Sequence, residues 1–109
     1  MAISHAASGQ VVDIYSGGSG LPSSKTCALF KAAELEVMRL VIPAGKAFPR
    51  HSVSGEITVQ CLEGKIEFAS QGTKQVLRAG QLLYLSGGVE HSLLALEDAA
   101  VLVTIVLHK

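Results

Sequence analysis

No tryptophan occurs in the sequence, and Cys27 and Cys61 are its only cysteines. Two cysteines cannot staple a disulfide-dependent scaffold. With no secretory pattern beside them, they are expected to be buried free thiols of a cytoplasmic protein. The first ten residues, MAISHAASGQ, lack a basic start and an apolar stretch, so no signal peptide is expected. Charge of one sign is also missing. Nine Lys and Arg balance nine Asp and Glu, leaving no field to draw nucleic acid or an anionic membrane. The longest apolar run, 99–107, is interrupted by Thr104 and is too short to span a bilayer as a helix. Phosphate loops, dinucleotide fingerprints and the Gly-x-Ser-x-Gly nucleophile elbow are absent. The glycine-rich stretch SGGSG at 16–20 lacks the lysine and the following helix that phosphate binding needs.

What the sequence does have is apolar residues, 49% of its 109 positions, enough for one small core and a single domain. They fall in short runs rich in Val, Ile and Leu, at 10–15, 35–42, 56–63, 65–70, 74–79, 81–86, 91–97 and 99–107. Gly- and Pro-containing turns punctuate the later runs. Strands at about ten-residue spacing predict an all-β sandwich or barrel. The stretch 24–40 mixes helix formers with a strand-like second half. Residues 1–34 are expected to form an N-terminal arm with a strand and a flexible Gly/Ser loop at 16–24. Residues 35–109 are expected to form the barrel.

Two strands carry the most information. In EITVQCLE, Ile57, Val59 and Cys61 alternate with Glu56, Thr58 and Gln60, so one face is apolar and the other polar. In AAVLVTIVL both faces are apolar. A strand buried on both sides needs a second covering layer, and in so small a chain a second copy is the expected cover, which predicts a homodimer. Thr58 and Gln60 then suit an inter-subunit strip. Tyr84 points away from Leu83 and Leu85 and either lines a pocket or closes that interface.

The landmark residues resemble the two motifs of the small single-domain cupins. Gly45, His51 and Gly64 match the first, and Gly80, Gly88 and His91 the second, with fifteen residues between the motifs. The resemblance covers about residues 35–107 and implies a double-stranded β-helix, or jelly roll, of the RmlC-like conserved-barrel type. It also implies a metal site built from three His and one Glu. Here Val53 stands at the second His position, Ile57 at the Glu position, Ser86 at the motif Pro and Ala95 at the motif Asn. Only His51 and His91 stand at ligand positions. Glu56, one residue out of register, would complete a set of two His and one carboxylate only if a bulge turned it inward.

Two functions are open on this reading. The first is a binding module with an apolar pocket, in which His51 and His91 orient a hydroxyl, carbonyl or carboxylate beside Val53, Ile57 and Tyr84, with little or no metal chemistry. The second is an enzyme of dioxygenase or isomerase type that holds Fe, Mn, Ni or Zn on His51, His91 and Glu56. A stand-alone sensor domain is a third, although no DNA-reading segment accompanies it. Arg50, beside His51, is placed to meet an anionic ligand at the barrel mouth. His5 and His108, near the termini, are expected to be solvated.

Overall fold

The computed structural model describes residues 7–14 and 26–107, and among these the regular structure consists of nine strands. They are β1 (Cys27–Lys31), β2 (Leu35–Ile42), β3 (Ala47–His51), β4 (Ile57–Glu63), β5 (Lys65–Ser70), β6 (Thr73–Arg78), β7 (Leu82–Leu85), β8 (His91–Ala95) and β9 (Ala99–Val106). They form a five-stranded sheet in the order β1-β2-β9-β4-β7 and a four-stranded sheet in the order β3-β8-β5-β6. The pairings are antiparallel. This is the all-β jelly roll expected from the sequence. No helix among the described residues is long and apolar enough to cross a membrane.

The inner faces follow the period-two alternation of a strand. Leu40 and Ile42 of β2, Ile57, Val59 and Cys61 of β4, and Val101 and Val103 of β9 meet Ile66, Phe68, Leu93 and Ala95 of the other sheet in one core. Phe68, Ile66, Val59 and Val101 are all but excluded from solvent. Burying side chains of this size contributes about 1.5–3 kcal/mol each against the ordering cost of the chain. Cys61 is fully buried, and its thiol donates to the carbonyls of Glu63 and Gly64 at 3.4 and 3.6 Å. Burial pushes the thiol pKa up, the Glu63 carbonyl bond opposes this, and the charge of Glu97 adds to the rise. Both Cys27 and Cys61 are free thiols.

The strand apolar on both faces is β9, at the centre of the five-stranded sheet between β2 and β4. Ala99, Val101 and Val103 face the core, and on the other face Ala100 is buried while Leu102 and Thr104 are half-buried. Part of that outer face is dressed by the chain itself. Buried Arg39, the register partner of Leu102, donates from Nη1 to the Ile14 carbonyl at 3.1 Å and ties the segment 7–14 to the sheet.

Three local expectations are corrected. The run at 10–15 is not a strand over its described residues 10–14. The stretch with helix formers instead supplies β1, an outer strand anchored by one buried side chain, Leu29, with a register shift between Ala28 and Phe30. β3, absent from the runs read in the sequence, is hidden there by Pro49 and by its solvent exposure, and His51 is its last residue. The Gly/Ser loop 16–24, His5 and His108 lie outside the described residues.

Gly64, between β4 and β5, has φ 78°, and a Cβ there would overlap the Asp98 carbonyl oxygen. Positive φ and lack of space both oppose any side chain. Gly64→Ala is therefore expected to destabilise the protein by about 2–5 kcal/mol, the sum of a left-handed backbone and an overpacked contact. Urea denaturation reads this directly, and an unchanged midpoint would refute it.

Candidate functional site

His51 and His91 are direct register partners across the β3–β8 pair. Their neighbours Phe48 and Leu93 are also paired, so three steps along β3 match two along β8. A regular strand would turn Phe48 and His51 to opposite faces. The extra residue makes a bulge at Pro49 and Arg50 and returns His51 to the face that carries Phe48, Leu93 and His91. The bulge that matters for the site thus precedes His51 and is not at Glu56.

The result is a stack of three rings that runs from the core to solvent. Phe68, 1% exposed, lies parallel to His91, with centroids 5.5 Å apart and planes 12° apart. His91, 5% exposed, meets exposed His51 at 4.3 Å, tilted by 59°. Each imidazole is oriented in the same way. His51 Nδ1 lies 3.1 Å from the Pro49 carbonyl oxygen, and His91 Nδ1 lies 3.1 Å from that of Val89. A carbonyl oxygen only accepts, so each Nδ1 carries the proton. In the neutral rings Nε2 is then the lone-pair nitrogen. Two Nε2 acceptors therefore stand on adjacent rings.

The other predicted site residues are placed as follows. Val53 is partly buried and packs against the core, as does Val89. Ile57 is a core residue, 4% exposed. Tyr84 is paired with Thr58 on the outer face of the five-stranded sheet, away from Leu83 and Leu85, and is 57% exposed. Its hydroxyl donates to the Glu56 carboxylate at 2.8 Å and lies 3.4 Å from Ser86 Oγ. The structure brings His51 and His91 together. It sets Glu56 and Tyr84 apart from them as a pair of their own.

A divalent transition metal takes three or more N, O or S ligands from a protein. Among the described residues no three His, Cys, Asp or Glu are grouped to hold one. The imidazole pair offers two nitrogens, Val53 and Ile57 offer hydrocarbon, and Glu56 is engaged by Tyr84. This donor set does not fit a metal centre.

Beside the pair, a cleft of about 520 Å³ opens at one end of the four-stranded sheet, with His91 but not His51 in its lining. Its remaining walls come from Arg50, the β5–β6 turn at 69–74 and the segment 88–92. Arg50 is legible in the sequence as a neighbour of His51. Lys74 and the turn residues are not, because a two-residue hairpin reads as punctuation and only strand pairing brings it beside His91.

Burial holds the His91 imidazole below the ordinary value of 6.5; the Val89 carbonyl bond opposes this, and the neighbouring His51 adds to the lowering. A histidine with a depressed folded pKa binds fewer protons folded than unfolded. Its contribution to stability is full above the unfolded value and is lost as pH falls from there through the folded value. Between about pH 7.5 and pH 5 the wild type is therefore expected to lose more stability than a His91→Gln variant. Parallel urea titrations check this, and equal losses would refute it.

The chain matches the family described as Cupin domain over residues 38–107. No curated protein matches it. Among solved structures it is similar to a conserved protein of unknown function from Streptococcus pyogenes, at 20% identity and TM-score 0.79, covering 100% of this chain and 96% of that one. A cupin superfamily protein from Desulfitobacterium hafniense is similar at 13% identity and TM-score 0.74, covering 76% of each chain. An RmlC-like cupin from Shewanella frigidimarina is similar at 18% identity and TM-score 0.72, covering 77% of this chain and 76% of that one. At these identities the likeness is one of fold.

Proposed function

We propose, from the premise that the chain belongs to the cupin domain family, that its barrel binds a small molecule at the His51–His91 pair without metal chemistry. The observation that carries this reading is the tying of both Nδ1 atoms to backbone carbonyls, which leaves two Nε2 acceptors side by side. Such a pair suits a hydrogen-bond donor, either a hydroxyl or a phenol, and refines the wider choice of hydroxyl, carbonyl or carboxylate that two histidines alone would allow. The half-buried Val89 and Val53 nearby supply apolar contact for the ligand body. The metal-dependent enzyme reading lacks a third donor among the described residues.

Phenol is a suitable probe because it joins an O–H donor to an apolar ring. Titrated into isotopically labelled protein, it is expected to shift the imidazole resonances of His51 and His91 saturably. The His51→Ala, His91→Ala double variant should retain its fold and bind about tenfold or more weakly, since each hydrogen bond contributes about 0.5–1.5 kcal/mol. A wild-type titration that leaves both imidazoles unmoved would reject the reading.

The assembly in this reading is a homodimer joined through the outer face of the five-stranded sheet. Leu82, 62% exposed, lies in one row with Gln60 and Leu102, next to the row of Tyr84, Thr58 and Thr104. A contiguous strip of this kind is the surface a second copy would cover. Light scattering at micromolar concentration should give twice the chain mass, and Leu82→Asp should give monomers. A monomeric wild type would exclude the assembly.

A further inference from the structure

The cleft beside His91 has a floor of small residues between two cations. Ala69 is paired with Ser92 on one side and with Lys74 on the other, and strand alternation places all three opposite the face that carries buried Phe68. Arg50 stands in the β3 bulge, where the strand passes Ser92. A row therefore crosses the four-stranded sheet from Arg50 over Ser92 and Ala69 to Lys74, and all four line the cleft. Adjacent strands are about 4.8 Å apart, so the two cations flank a trough about three strand spacings wide. Its floor is low because it is built from a serine and an alanine. Both cations are exposed, and neither forms an ion pair among the described residues. Glu90 is the carboxylate in the lining, so two positive charges face one negative. At its inner end the cleft turns over the end of the sheet, through Ser70, to His91.

We propose that this trough is an oxyanion subsite, and that the molecule bound at the imidazole pair is a small hydroxylated acid, either a carboxylate or a phosphate monoester. Its oxyanion lies between Arg50 and Lys74, Ser92 supplies a hydroxyl donor, and its own hydroxyl reaches Nε2 of His91. Only this last contact rests on the reading of the imidazole pair given above; the oxyanion subsite stands on the cleft alone. Guanidinium and ammonium groups both form charge-assisted bonds to carboxylate and phosphate oxygens. A cleft of about 520 Å³ has the size of a small-ligand site.

The experiment is a pair of titrations of isotopically labelled protein, with inorganic phosphate and with acetate, at constant ionic strength maintained with chloride. At least one anion is expected to shift the backbone amides of residues 72–74 and 88–92 saturably. Arg50→Gln and Lys74→Gln, both at exposed positions, should each weaken that response about fivefold or more, as the loss of a charge-assisted bond predicts. Glu90→Gln removes the opposing charge and should strengthen the response about twofold, which a purely structural role for these residues would not produce. A response to phosphate alone assigns the ligand as a phosphate ester, a response to acetate alone assigns it as a carboxylic acid, and either supports the subsite. Absence of a saturable response, or one indifferent to Arg50→Gln and Lys74→Gln, overturns it. The His51→Ala, His91→Ala variant should bind the anion as the wild type does. If phenol leaves the imidazoles unmoved while the anion binds, the imidazole reading fails and the subsite stands; the reverse result removes the subsite alone.

Discussion

The hydrogen bond from the Gly88 amide to the Val53 carbonyl, at 2.8 Å, clasps the two connections that lead to and from the histidines. One connection leaves β3 just after His51, and the other enters β8 just before His91. The clasp is tight. A Cβ on Gly87 would collide with the Ser54 carbonyl, so the two backbones touch where any side chain at position 87 would hold them apart. Val53 and Val89, on either side of the contact, pack against the core and anchor both connections to it. The clasp thereby fixes the Val89 carbonyl, while the β3 bulge holds the Pro49 carbonyl, and the two carbonyls set the tautomer of each ring. The chemical character of the site thus follows from backbone geometry, a clasped connection on one side and a strand bulge on the other.

The ring stack adds a gradient of solvation to that geometry. Phe68 is sealed in the core, His91 is nearly sealed, and His51 is open. A buried imidazole is tolerable only when its N–H is satisfied, and the Val89 carbonyl does this. Phe68 backs the His91 ring face, so His91 cannot swing inward and its remaining nitrogen is the one available to a ligand.

How much of this is legible in the sequence depends on the range of the interaction involved. β2 and the strands from β4 to β9 are visible because alternation and turn residues are local, and the resemblance carried by the motif landmarks puts His51 and His91 in one site. Ile57 is visible as part of an apolar face, but whether that face lines a cavity or fills a core depends on what Phe68 and Leu93 do in the opposite sheet, which no local pattern contains. Tyr84 reads as a candidate for the pocket or the interface and Glu56 as a metal ligand conditional on a bulge, because neither shows its partner. They are 28 positions apart and meet only through the β4–β7 pairing. β3 is invisible for a different reason. Proline, exposure and a bulge all count against a strand, and each is permitted here because β3 lies at a sheet edge.

That edge has a bearing on solubility. An open strand edge offers unpaired donors and acceptors on which another chain can build a sheet. On β3 the proline offers no donor and the bulge breaks the repeat, so an approaching strand finds neither the full set of bonds nor an even spacing. The opposite edge of the same sheet, β6, presents Lys74 and Arg78. Both margins of the four-stranded sheet thus resist runaway pairing, and the distortion that aims an imidazole into the site also keeps neighbouring molecules from polymerising along it.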